Sequence, residues 1–264
     1  MKEPLKQALG HSIFASRLDA LLLRDTAIVV AFHRVRNTSS GDGLTVSVPL
    51  FDRYCRFFRD HFNVVPLGDL VTRLERRLPL DRELAITFDD GYLDNFESAA
   101  PLLRKYSLPA AFFVVTRWMG GDVVPWWDRA ERIRHRWMSW EQVRTLHQSG
   151  FEIGAHTRTH VDLGAVSGPD AETEIAGARA DLERELGAGV DLFAYPYGAR
   201  ENMSEANRAL IKRAGFRCCC SCFGGAVTAD TDPFRLARVP INTSFSSPHG
   251  FGFEVAFGRT LLPA

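Results

Sequence analysis

Short apolar runs recur along the chain, each of strand length and each followed by a stretch with helical spacing. The first is AIVVAFH at 27–33, and others fall at 63–67, 84–88, 110–115, 151–155, 190–196, 216–223 and 235–241. Between them apolar residues repeat three and four apart. Phe51, Tyr54, Phe58 and Phe62 mark one helix face, and Ile175, Ala178, Leu182 and Leu186 another. Ser139 to Gln142 reads as a capping box for a helix that stops at Gly150. The 170–186 helix ends at Gly187, and Ser204 opens one that ends near Gly215.

Near-continuous apolar strands alternating with helices define a parallel sheet, because helices shield both of its faces. Seven or eight such units predict a single-domain α/β protein folded as a distorted (β/α) barrel. No Gly-x-Gly-x-x-Gly turn supports a dinucleotide fold. Leu5, Leu9, Ile13, Leu18, Leu21 and Leu22 predict an amphipathic helix within residues 1–25, ahead of the barrel at 26–245 and a tail at 246–264. Two stretches resist the pattern. Residues 36–46 read as a flexible polar loop, and 117–138 form a tryptophan-rich segment suited either to a substrate wall or to plain packing.

Composition narrows the function classes. Lys plus Arg and Asp plus Glu both total 32, so no global field draws nucleic acid or an anionic membrane. No apolar run reaches the roughly 18 residues of a membrane span. Charges interrupt the N-terminus where a secretory signal would need a clean apolar region. Five cysteines (Cys55 and the cluster Cys218, Cys219, Cys220 and Cys222) are an odd count and read as free, buried thiols rather than a disulfide framework. These features lead to the expectation of a cytoplasmic protein.

Chemistry in such barrels sits at the C-terminal ends of strands. Those ends carry His33, the pair Asp89 and Asp90, then His156 and His160, and the sequence Tyr-Pro-Tyr-Gly at 195–198. His156 and His160 are four apart, so a helical turn would place both imidazoles on one face. A carboxylate with two imidazoles suits a divalent ion, Zn²⁺ foremost. Adjacent strand residues face opposite sides, so both aspartates reach one site only if the chain leaves the pleat at 89–90, as Gly91 permits. Different directions then imply different roles, one aspartate on the metal and the other moving a proton. An Asp-Asp-Gly turn or a His pair alone is a weak signal; their shared placement at strand ends is what carries weight.

TFDDG (87–91), HTRTH (156–160) and YPYG (195–198), in that order, resemble three motifs of the polysaccharide deacetylase family, carbohydrate esterase family 4. The likeness runs over roughly residues 27–245. It implies a distorted (β/α) barrel and metal-dependent hydrolysis of N-acetyl groups on amino sugars, or in some members of O-acetyl groups or other amides. By the resemblance, Asp90, His156 and His160 hold the metal and Asp89 is the general base. The backbone N–H of Tyr197, following Pro196, faces the oxyanion, and Trp127 is a candidate for the substrate wall.

Two departures stand out. Ala194 occupies a position where the family often has an arginine that orients the base; Arg238, in RLARVPI, resembles a late arginine that does this job, with Arg235 as the alternative. The C-terminal Leu-x-His motif that bears the catalytic acid is missing. His249 is the one late histidine, in a setting that reads as a loop, whereas FHRV (32–35) looks like the YHRV-type start of a subgroup with an N-terminal acid. First and last strands of a closed barrel are neighbours, which favours His33. The expected substrate is an acetylated amino sugar or its conjugate. A deacylase of another small amide is the alternative, as is a non-catalytic carbohydrate binder; the intact Asp89, Asp90, His156 and His160 argue against the binder.

Overall fold

The structure, a computed structural model, describes residues 1–37, 43–129, 134–242 and 245–257. Parts of three expectations therefore lie outside the described residues: 38–42 of the polar loop, 130–133 of the tryptophan-rich segment and 258–264 of the tail. The strands are β1 (Ala27–Phe32), β2 (Arg34–Val35), β3 (Thr45–Val46), β4 (Asn63–Val64), β5 (Glu83–Phe88), β6 (Ala111–Val114), β7 (Glu152–Ala155) and β8 (Val239–Pro240). The α-helices are α1 (Glu3–Ala15), α2 (Asp19–Leu22), α3 (Val48–His61), α4 (Leu67–Glu75), α5 (Ala100–Lys105), α6 (Trp140–Gln148), α7 (Gly168–Leu186), α8 (Glu205–Arg213) and α9 (Pro248–Ala256).

The main sheet is parallel and runs β7-β6-β5-β1-β8, with β4 pairing the start of β5. β1 and β5 lie in register from Ala27↔Glu83 to Phe32↔Phe88, which brings their C-terminal ends to one rim. Residues 190–196 and 216–223 do not form the full strands that their composition predicts, and the 235–241 strand shortens to β8. They touch through single parallel bridges, Ala155↔Phe193, Ala194↔Cys220 and Cys220↔Leu236. Pro196, Pro233 and Pro240 have no N–H to extend a ladder. Those bridges nonetheless carry the ring from β7 round to β8 and so back to β1. The result is a closed but irregular barrel.

Alternation along the strands sorts the core into two buried clusters. Ala27, Val29, Ala85, Ala111, Phe113, Ala194, Cys218 and Cys220 fill the interior with mostly small side chains and meet Leu67, Leu70, Val71 and Leu74 of α4. Helix α4 thus plugs the end of the barrel opposite the rim formed by the C-terminal ends of the strands. Its first N–H groups, from Leu67 and Gly68, donate to the Glu152 carboxylate at 2.7 and 2.8 Å, an anion at a helix N-terminus. Ile28, Val30 and Phe32 point outward to Phe51, Tyr54 and Phe58 of α3 and Phe251 of α9.

Cap signals read from the sequence form as expected. Ser139 and Gln142 make the capping box of α6, Gly187 closes α7 at φ 65°, and the Ser204 side chain accepts from the Asn207 N–H at the start of α8. The chain termini differ from the expectation. The predicted amphipathic helix breaks at Arg17 (φ 58°), and its leucines Leu5, Leu9, Leu18, Leu21 and Leu22 are exposed. Helix α1 instead buries Gly10, Ile13 and Phe14, packing on α9. Gly10 is what permits the approach, since a Cβ there would lie 1.9 Å from the His249 carbonyl oxygen. The SSPHGFGFE segment (246–254), read as a loop, instead runs into helix α9 from Pro248.

Candidate active site

β5 delivers Asp89 inward and then turns sharply. Asp90 has φ 74° and Gly91 φ 84°, and the Gly91 N–H donates to the Asp89 carbonyl at 3.0 Å. A non-glycine residue in this conformation is strained, and such strain gathers at functional sites. The turn sends the two carboxylates in different directions. Asp89 is fully buried and receives both ends of the Arg238 guanidinium, Nη1 on Oδ1 and Nη2 on Oδ2, each at 2.7 Å. Arg238 is itself fully buried, with Nε donating to the Ser221 carbonyl at 2.6 Å and Nη1 to the Thr87 hydroxyl at 3.1 Å. Burial works to raise the Asp89 pKa, but Arg238, His156 and His33 together hold it below the ordinary value.

Asp90 turns instead to the imidazoles. His160 Nε2 lies 3.2 Å and His156 Nε2 3.4 Å from its Oδ1. The three ligand atoms fall within 4.8 Å of one another, and all three residues are buried. The predicted helical turn at 156–160 is absent. Thr157 (φ 61°) and His160 (φ 60°) are left-handed, and the Thr157 hydroxyl accepts from the His160 N–H at 3.0 Å, so a side-chain-held loop makes the imidazoles converge.

These residues fit a divalent ion. A tetrahedral centre with bonds of about 2.0–2.2 Å keeps its ligand atoms roughly 3.3–3.6 Å apart, close to the 3.2 and 3.4 Å from Asp90 Oδ1 to the two imidazoles. His156 Nδ1 lies 2.8 Å from the Ala194 carbonyl oxygen, which fixes the tautomer with Nε2 as the free acceptor. Asp90 Oδ1 is buried without a hydrogen-bond partner, an arrangement that a cation resolves. Burial lowers the His160 pKa, keeping the ring neutral as a ligand must be. For Asp90, burial raises the pKa, but His156, His160 and His33 outweigh it and hold the carboxyl well below the usual range.

The remaining candidates distribute unevenly. His33 directly follows β1 and is half-buried. Its carbonyl accepts from the Asn95 amide at 2.7 Å, and its ring is electrostatically coupled to Asp89, Asp90 and His160. His249 lies on α9, its ring 4.9 Å from His11 and 5.3 Å from Phe57, away from this cluster. Arg235 sits three residues before Arg238 on the surface, paired with Glu205. Tyr197 has φ 61°, and the Gly198 N–H donates to the Pro196 carbonyl at 2.6 Å across it. The Tyr197 ring is exposed, 4.8 Å from His160, and Trp127 stands 4.9 Å from the same imidazole.

Two features escaped the sequence reading. The Cys222 thiol lies 3.6 Å from Asp89 Oδ2 and 3.1 Å from Arg238 Nη2, and burial pushes its pKa up to about 12, so it is a neutral neighbour of the ion pair. Strand alternation with Cys218 and Cys220 was the signal for its inward direction. The second is a buried ion pair, Arg34 to Asp128 at 2.9 Å. The Tyr92 hydroxyl donates to the same aspartate at 3.1 Å and accepts from Trp127 Nε1 at 3.0 Å, tying the FHRV segment to the tryptophan wall. No short motif announces it.

The barrel thus carries, on its C-terminal rim, a buried Asp-His-His cluster that could hold a divalent ion, beside a second aspartate clamped by arginine. Comparison with known proteins agrees: the polysaccharide deacetylase family matches residues 78–219, and the chain belongs to that family. It is similar to YxkH of Bacillus subtilis, 23% identical over 220 residues that span 83% of this chain and 72% of that protein. The poly-beta-1,6-N-acetyl-D-glucosamine N-deacetylase of Staphylococcus aureus is 22% identical over 244 residues, covering 83% and 79% of the two chains. Among solved structures, the Streptococcus pyogenes deacetylase PplD, in complex with acetate, superposes with a TM-score of 0.73 at 21% identity, over 91% of this chain and all of that one. This last likeness is one of fold.

Proposed function

We propose that the protein is a metal-dependent hydrolase that removes an N-acetyl group from an amino sugar within a polysaccharide or a sugar conjugate. The observation that carries this reading is the convergence of Asp90, His156 and His160 on one point beside the arginine-clamped Asp89. The similarity to a poly-N-acetylglucosamine deacetylase supports the substrate class.

In this reading Asp90, His156 and His160 hold the ion, Zn²⁺ foremost, which supplies Lewis acidity and lowers the pKa of a water. Asp89 takes the proton from the attacking water. Arg238 keeps that carboxylate ionised and fixes both of its oxygens, so the base does not rotate away from its task. The N–H of Tyr197 donates to the oxygen on which negative charge develops. His33 gives a proton to the leaving amine, which is a poor leaving group until protonated. Trp127 and the exposed Tyr197 ring line the entrance with aromatic faces for a sugar. The FHRV segment (32–35) supports a place in the subgroup with an N-terminal acid, and a cytoplasmic location is part of the same proposal.

The test is acetate release from N-acetylglucosamine oligomers by protein of measured metal content. Chelation should abolish release, and Zn²⁺ should restore it. Full release from metal-free protein, or none from fully loaded protein across N-acetylated substrates, would overturn the reading.

A further inference from the structure

A second cavity, of about 450 Å³, opens on the outer flank of the barrel between α8 and the 219–223 and 234–237 segments. Its lining carries three arginines, Arg200, Arg208 and Arg235, against one carboxylate, Glu205. Arg208 and Arg235 both donate to the same oxygen of Glu205, so two guanidiniums already converge on a single carboxylate position. The Arg208 Nε is buried and has no hydrogen-bond partner among the described residues. Arg200 lies over the Phe223 ring at 5.4 Å, and Phe234 completes an aromatic wall. Among the described residues Arg208 and Arg235 pair with Glu205 and Asp232, apart from Asp89, Asp90, His156 and His160.

We infer that this cavity binds a carboxylate or phosphate group carried on a sugar-sized body. Guanidinium forks match either anion in a bidentate way, and three of them line this one cavity. The volume is that of a small-molecule site, and the flat aromatic wall suits a sugar ring beside the charge. Glu205 holds the guanidiniums together when the site is empty of ligand and gives way when a stronger acceptor enters. Arg200 follows Gly198 of the Tyr197 loop by two residues, which places the cavity next to the catalytic rim.

Calorimetry on the full chain with glucuronate, glucose 1-phosphate and glucose tests this without any deacetylation readout. At least one of the two anions should bind, at least tenfold tighter than glucose, and the tighter of the two identifies the group as carboxylate or phosphate. Arg208→Gln should weaken that binding about tenfold, and Arg200→Ala, at an exposed position, should weaken it several-fold with the fold intact. Glu205→Gln should tighten it several-fold by removing the internal competitor, a gain that misfolding cannot produce. Absence of binding by both anions, equal binding of glucose, or affinities unchanged in Arg200→Ala and Glu205→Gln would overturn the inference.

Discussion

Asp89 and Asp90 are adjacent carboxylates with opposite surroundings, and that contrast predicts opposite mutant behaviour. Asp89→Asn should retain the metal and lose most of kcat, because proton transfer goes while the ligand set stays. Asp90→Asn should lower metal occupancy itself; elemental analysis of both variants separates the roles, and equal metal loss would reject the division. Arg238 adds a stability test. Arg238→Gln leaves Asp89 as an uncompensated buried charge and should cost about 3–5 kcal/mol of unfolding free energy. Adding Asp89→Asn should recover much of that stability and none of the activity. The acid is tested in the same way: His33→Ala should lower kcat by about 10²–10⁴-fold with metal content unchanged, and His249→Ala should be nearly silent. An ester analogue, with its better leaving group, should suffer less from His33→Ala. The reverse ranking of the two histidine variants would move the acid to α9.

At the scale of elements, what was legible depended on how local the determinant is. Caps and apolar periodicity act within a few residues, so α6, α7 and α8 and strands β1, β5, β6 and β7 could be read directly. The 190–196 and 216–223 segments carry strand-like composition but pair at single bridges, since their prolines and the curvature of ring closure are set by neighbours far away in sequence. The spacing of His156 and His160 suggested a helical turn, whereas Thr157 and its hydroxyl bond to the His160 N–H build a loop that no periodicity describes. The Arg34–Asp128 pair joins positions 94 residues apart and was invisible for the same reason. Gly91, by contrast, was readable as a turn residue, and the structure sharpens its role. A Cβ there would meet the Met119 methyl at 2.7 Å and Val114 at 3.1 Å, with φ at 84°. Gly91→Ala should therefore destabilise by about 1–3 kcal/mol and displace Asp90, read as a lower denaturation midpoint with weaker metal binding. Gly120→Ala, also at positive φ but with nothing within 4 Å, should affect stability alone.

The stability of the whole molecule gathers the ionisable groups into a dependence on pH, and their signs differ. Asp89 and Asp90 have depressed pKa values, so the stability they contribute is lost as pH falls below the ordinary carboxylate range. His61 and His249 are lowered by burial, so the folded state prefers the neutral ring and gains stability as pH rises toward their ordinary value of 6.5. Asp94 works against these. It is half-buried where the β2 segment meets the rim, accepting from the Val35 N–H at 3.0 Å and the Asn95 amide at 3.1 Å. Burial pushes its carboxyl up to about 7, although those bonds and Arg34 and Arg36 oppose the shift. A raised acid pKa means that the folded state holds the proton more tightly than the unfolded chain does. Asp94 thus costs nothing below its ordinary value of 3.8 and destabilises progressively as pH rises toward about 7. Asp94→Asn keeps an acceptor for the Val35 N–H and removes the titration. Its melting temperature relative to the parent should be level near pH 4, should climb through neutrality and should be flat above pH 8. Taking the difference between the two proteins cancels the histidine and aspartate contributions that they share. A difference that stays constant from pH 4 to 8 would show that folding leaves the Asp94 pKa unshifted and that its surroundings, not its proton, hold the β2 segment in place.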